Sequence, residues 1–219
     1  MTVLAPTRPA QPIKLHGFHL SGHTHRVRLF LSLLGLPMEY VSVDVPAGAH
    51  KQPAFLALNS FGQVPVIQDG AVTLADSNAI LVYLATRYAD QTSSTPWLPR
   101  DPLGAAAVQR WLSVAAGPLA FGPASARLIN LFKAPFNADE VCGRARNLLA
   151  VMEKEVLERP YLAGTWPTIA DVANYTYIAH APEGGVDLAP YPEVRAWLAR
   201  IEALPGFVPM TRSPVGLAA

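Results

Sequence analysis

Only one cysteine, Cys142, stands among the 219 residues of this chain. That excludes an internal disulfide framework and any metal cluster built on several thiolates. It is compatible with a reducing, cytoplasmic setting. An excess of charge is lacking too: 17 Lys and Arg are set against 16 Asp and Glu, for a net charge of +1. No run of like charge stands out, and there is no basic stripe of the kind that binds nucleic acid. Long hydrophobic runs are also missing, so the sequence predicts no membrane span. The opening "MTVLAPTRPAQP" lacks the apolar stretch of a secretory signal, and its three prolines predict a poorly ordered arm. What remains is a chain 51% hydrophobic and long enough to bury a core, as one large domain or two small ones.

The first half alternates strand and helix signals. "IKLHGF" (13–18) reads as a strand. From about Thr24 to Leu34, Val27, Phe30, Leu31 and Leu34 recur at helical spacing, with Gly35 and Pro37 as the stop. "MEYVSVDV" (38–45) alternates and reads as a second strand, parallel to the first. "AGAHKQ" is a loop and "PAFLALN" a helical turn. "VPVIQ" and "AVTLA" flank the hairpin dipeptide "DG". "DSNAILVYLATRY" then reads as a helix with Ser77 as its N-cap and Ile80 and Leu84 facing a core. This β-α-β, β-β-α order is the thioredoxin-like arrangement, placed at 13–88.

"ADQTSSTPWLPRDP" is polar and proline-rich and reads as a linker, 89–103. No strand signal follows. "LGAAAVQRWLSVAAGPLAFGPASARLINLF" is helical on both sides of Gly117-Pro118, which should kink or break it. "DEVCGRARNLLAVMEKEVLE", "TIADVANYTYIA" and "YPEVRAWLARIEALPGF" add three more helices, the last stopped by Pro205-Gly206. The expected fold class is α/β plus all-α, with an all-helical domain over 104–210.

Three local features carry chemistry. In "FGQVPVIQDG" Pro65 sits at a strand start. It is either an ordinary trans proline on an edge strand or a cis Val64-Pro65 bond, which would turn the Val64 amide and carbonyl out of the sheet toward a peptide-like ligand. In "LADSNAIL" Asp76 and Ser77 stand where a helix begins. They are a plain cap, or they use the orphan amides and partial positive charge of that end to hold a ligand's carboxylate, with Asp76 meeting an ammonium. In "GTWPTIADVANY" Thr168 and Asp171 form a capping-box pair that starts a buried helix, a structural role. Cys142, beside Val141 in a helix, reads as a buried, inert thiol.

"GFHLSGHTHRVRLFLSLLGLP" (17–37), preceded by His16, crowds histidines and hydroxyls together. His23 and His25 are two apart and point to different sides of a helix. No acidic residue lies among them, so convergent metal ligands are not in view. No G-x-S-x-G elbow surrounds Ser21, which argues against a Ser/His hydrolase.

Taken in order, "SGHTHRVRLFLSLLGLP", "GAHKQPAFLALNSFGQVPVIQDG", "LADSNAILVYLA", "TIADVANY" and "YPEVRAWLARIEALPGF" resemble the cytosolic glutathione S-transferase superfamily, most closely its bacterial and theta/delta-related forms. The match runs from about Ile13 to Phe207. The resemblance implies a thioredoxin-like domain that binds glutathione as co-substrate, a helical domain that shapes a second pocket, and a homodimer; it implies no metal. It implies that Pro65 is cis and that Val64 pairs with the cysteinyl backbone of glutathione. Asp76 and Ser77 match the pair that holds the γ-glutamyl group, and His50 and Gln63 match positions at the glycyl end. Ser21 matches the serine that activates the thiol. His23 and Thr24 stand where relatives often carry Asn and Cys, and both are secondary candidates for contact with the sulfur. Ser60 replaces a usual proline. Phe18, Trp111, Val114 and Phe121 are expected to wall the pocket for a small apolar electrophile. The alternatives to conjugation are glutathione-dependent reduction of disulfides or peroxides, and a non-catalytic binding protein of the same fold. No nucleic-acid or membrane partner is expected.

Overall fold

A computed structural model describes residues 8–89 and 95–216. The N-terminal arm (1–7) and residues 90–94 of the linker lie outside the described residues. The chain divides into two units. One takes the chain up to Leu98 together with Leu204–Thr211; the other takes Pro99–Ala203 and the chain from Arg212 onward.

In the first unit, β1 (Ile13–Gly17), α1 (Gly22–Leu33) and β2 (Met38–Ser42) form the parallel unit. After α2 (Pro53–Leu56) come the hairpin β3 (Val66–Asp69) and β4 (Val72–Ala75), then α3 (Ser77–Tyr88). The sheet order is β2-β1-β3-β4, with β1–β3 and β3–β4 antiparallel. Strand β2 stops at Ser42, three residues short of the alternating pattern, because Val43 turns into a small core with Phe55 and Val66.

Periodicity explains the packing. Ile13 and Leu15 on β1 are fully buried, as are Val27, Phe30, Ile80, Leu81 and Leu84 on α1 and α3. Each such side chain contributes about 1.5–3 kcal/mol. Helix α1 ends in a Schellman turn: Gly35, at φ 61°, donates to Ser32 O, and Leu36 donates to Leu31 O.

The sequence pattern placed 204–210 with the helices; the structure places Leu204–Thr211 with the sheet unit. The reason is a set of long-range contacts. Gly206, at φ 85°, brings its backbone so close to α1 that a Cβ would lie 2.7 Å from Ser32 O. His25 Nε2 is 2.8 Å from Val208 O.

The second unit is helical: α4 (Pro102–Ala116), α5 (Ser125–Phe132), α6 (Ala138–Glu158), α7 (Ile169–Ala179) and α8 (Pro192–Glu202). Gly117 closes α4, and a π-helical stretch, Ala120–Ala124, leads into α5. Together Pro102–Phe132 make a 31-residue helix with an 18-residue window of mean hydropathy 1.2, half of it buried. This corrects the expectation that no apolar segment reaches membrane-spanning length: short polar interruptions hid it in the sequence. The Thr168/Asp171 capping box is present, and Asp171 also accepts from Leu162 N and Trp197 Nε1, both at 2.9 Å. Thr168 N and Thr168 Oγ1 donate to its other oxygen, and these four donors oppose the burial that nonetheless raises its carboxyl pKa. Cys142 is buried, its Sγ 3.7 Å from Gly184 O, and burial pushes the thiol up.

Candidate active site

The pairing register sets the site. His16 lies opposite Val66 and Val66 opposite Ala75, so the C-terminal end of β1, the start of β3 and the end of β4 share one edge. Three segments leave that edge together: the turn to α1 with Ser21, the Val64-Pro65 pair, and the start of α3 with Asp76 and Ser77. The Val64-Pro65 bond is cis.

Ser21 is the N-cap of α1. Its Oγ accepts from Thr24 N at 3.2 Å. A hydroxyl that accepts from the backbone keeps its own proton to donate. The side chain is half-buried and sits at the positive end of a 12-residue helix. Thr24 is 2% exposed, and its Oγ1 accepts from Phe18 N at 3.3 Å. A Cβ on Gly17 would lie 2.1 Å from Thr24 Cγ2. Thr24 therefore fixes the turn that presents Ser21.

At α3 the cap assignment shifts by one residue. Asp76, not Ser77, is the N-cap: its Oδ1 accepts from Ala79 N at 2.9 Å. Asp76 has φ 68°, a conformation few L-residues adopt, and is exposed. Ser77 is the first helical residue and is 5% exposed. Its Oγ lies 2.8 Å from Arg26 Nη1 and 3.3 Å from His23 Nδ1. Arg26 Nη1 also donates to Asn78 Oδ1 at 2.8 Å. Burial, then the Arg26 charge, hold the His23 imidazolium down to about 3, so the ring is neutral at physiological pH. A guanidinium only donates, so we assign the Ser77 proton to His23 Nδ1.

Arg26 and Asn78 are the residues the sequence reading missed. A signal for Arg26 was present: it is a charged residue four before Phe30, inside the apolar stripe of α1, and it is 1% exposed.

The Gly62 turn brings the two expected glycyl-end residues near each other. Gly62 has φ 58°, and a Cβ there would lie 2.8 Å from His50 O. Gln63 is exposed, with its carbonyl accepting from Asn59 Nδ2 at 2.8 Å. His50 is half-buried, and its Nδ1 has no hydrogen-bond partner among the described residues.

The remaining histidines go separate ways: His16 pairs with Gln68 across the sheet at 2.8 Å, and His25 holds Val208 O. No group of three His, Cys, Asp or Glu converges among the described residues. A cavity of about 300 Å³ adjoins the Ser21 turn, with Phe18, Thr24, Met38, Tyr40 and Met210 among its walls. Of the expected pocket residues only Phe18 lines it. Trp111 is 2% exposed with its carbonyl bound by Asn174; Val114 is half-buried; Phe121 is 59% exposed in the π-helical stretch.

A thioredoxin-like sheet whose edge gathers a capped serine, a cis proline and a second helix start, in a chain that also carries an all-helical unit, defines a class of thiol-handling enzymes. The family models agree. Glutathione S-transferase, N-terminal domain, matches residues 20–87, and glutathione S-transferase, C-terminal domain, matches residues 122–205. The chain is 37% identical to glutathione S-transferase 3 of Zea mays, over 90% of this chain and 91% of that one. It is 34% identical to a maleylpyruvate isomerase of Ralstonia, over 84% and 89%. A crystal structure of glutathione S-transferase from Pseudomonas fluorescens superposes with a TM-score of 0.84 at 35% identity, covering 91% of this chain and 99% of that one. The chain belongs to the glutathione S-transferase family, and it is a glutathione transferase.

Proposed function

We propose that Ser21 activates the thiol of bound glutathione, in the manner of theta- and delta-related transferases, for attack on small apolar electrophiles. The observation that carries this reading is the Ser21 cap: its Oγ is engaged by Thr24 N, and its O–H is left to donate to sulfur. A free thiol titrates at about 8.5. Donation from Ser21, together with the helix terminus, favours the thiolate, and each unit of lowering corresponds to about 1.4 kcal/mol. The thiolate forms the C–S bond, and the leaving group departs with its electron pair; the thiol proton goes to solvent.

In this reading Val64 pairs with the cysteinyl main chain. The γ-glutamyl carboxylate rests at the start of α3, backed by Ser77 and the buried Arg26 charge. The free Asp76 oxygen meets the ammonium, and His50 and Gln63 hold the glycyl end. His23 and Thr24 take supporting parts in this reading, His23 Nδ1 lying against the Ser77 hydroxyl and Thr24 Oγ1 accepting from Phe18 N. The cavity beside Phe18 and Met210 receives the electrophile. The same reading includes a cytoplasmic homodimer, which size-exclusion chromatography tests.

Conjugation of chlorodinitrobenzene tests the assignment. Ser21→Ala should lower kcat/KM by about tenfold to a hundredfold, with KM for glutathione within a few-fold and Ser21→Thr restoring part of the rate. Unchanged kcat/KM in Ser21→Ala rejects the role of Ser21. Glutathione consumption is followed together with product, because one relative is named an isomerase rather than a transferase.

A further inference from the structure

The walls of the first unit's cavity are uneven in charge. Phe18, Met38 and Met210 are apolar, and Phe18 and Met210 are almost fully buried. His19 stacks edge-on against Phe18 at 4.7 Å, and His25 is tied to Val208 O. Arg28 also lines the cavity, and no Asp or Glu is among the residues that do. Arg28 is exposed and makes no ion pair among the described residues. Glu39, the acid on β2, alternates to the other side of the strand from Met38 and Tyr40, both of which line the cavity. The Tyr40 phenol carries its proton at neutral pH and is a donor; partial burial pushes its pKa up, against the pull of the Arg28 charge.

A small, largely apolar chamber whose one side chain of fixed charge is a guanidinium, with a phenol O–H, the Thr24 hydroxyl and the His19 and His25 imidazoles as its other polar groups and no acid, fits one kind of occupant. An aromatic or aliphatic body fills the Phe18/Met38/Met210 wall, and a carboxylate meets Arg28, whose planar fork suits it. We propose that Arg28 is a specificity-determining residue that selects electrophiles carrying a carboxylate over their neutral counterparts. The proposal rests on the reading of this cavity as the electrophile site.

Binding separates it from that reading. With S-methylglutathione present to fill the glutathione site, the full chain is titrated calorimetrically with dinitrobenzoate and with its methyl ester. S-methylglutathione has no thiol to attack with, so binding is read without turnover. The acid should bind roughly tenfold more tightly than the ester, as expected of a charge-assisted contact. Arg28→Gln should remove most of that preference, and Arg28→Lys should keep more of it. Equal affinity for acid and ester, binding of neither, or an acid preference that survives in Arg28→Gln overturns the proposal. Absence of conjugation in the chlorodinitrobenzene assay counts against the transferase reading of the site alone.

Discussion

Ser21 and Ser77 are the same residue at the same edge of one sheet, each at the start of a 12-residue helix, yet the fold gives them different chemistry. Ser21 is the cap itself, half-buried, with one backbone donor on its oxygen and its proton left over. Ser77 is one position further in, buried, with its oxygen against Arg26 and His23. A shift of one residue along a helix start thus separates a hydroxyl with its proton left to donate from one buried against Arg26 and His23. In our reading the first serine acts on the sulfur, and the second shapes the anion-binding end of the same ligand.

Substitutions around the second serine sharpen the contrast. Arg26→Met should have the largest effect. It strips a charge-assisted partner from both Ser77 and Asn78 and removes the buried positive charge behind the start of α3. Thermal unfolding should show a loss of about 2–4 kcal/mol, and KM for glutathione should rise about tenfold or more while kcat falls less. A rise in KM without a fall in stability would separate ligand binding from the post.

Ser77→Ala should raise KM for glutathione by about threefold to tenfold, the size of one hydrogen bond, and leave the pH dependence of kcat where it was. Ser21→Ala should do the reverse. Loss of kcat in Ser77→Ala with KM kept would erase the distinction between the two serines.

An effect of a different kind, on stability against pH alone, concerns His23. Its pKa falls from 6.5 to about 3 on folding, so the unfolded chain binds more protons between those values. The group's contribution is fully present above about pH 6.5 and is lost as pH falls toward 3, at a slope of at most about 1.4 kcal/mol per pH unit. Urea unfolding at pH 7 and pH 5 should show His23→Asn losing less stability on acidification than the parent chain.

Much of this edge was legible in the sequence, for local reasons. Periodicity marked α1 and α3, the "DG" dipeptide marked the β3–β4 hairpin, and Thr168/Asp171 marked the start of α7. What failed was decided elsewhere. "DS" offers two residues able to cap, and the choice of Asp76 depends on a positive φ that composition does not reveal. The placement of Leu204–Thr211 rests on contacts with α1 from far along the chain. The cavity gathers Met38, Tyr40, Arg28 and Met210 because strand, helix and tail converge there, and such a convergence of distant segments leaves no local mark in the sequence.

The central claim, that the Ser21 hydroxyl stabilises the thiolate, is tested most directly by titrating bound glutathione through the ultraviolet absorbance of its thiolate. The parent chain should give a thiol pKa at least about one unit below the free value of roughly 8.5. In Ser21→Ala it should move back toward that value, while in Ser77→Ala it should not move. The same thiol pKa in the parent chain and in Ser21→Ala would contradict the account.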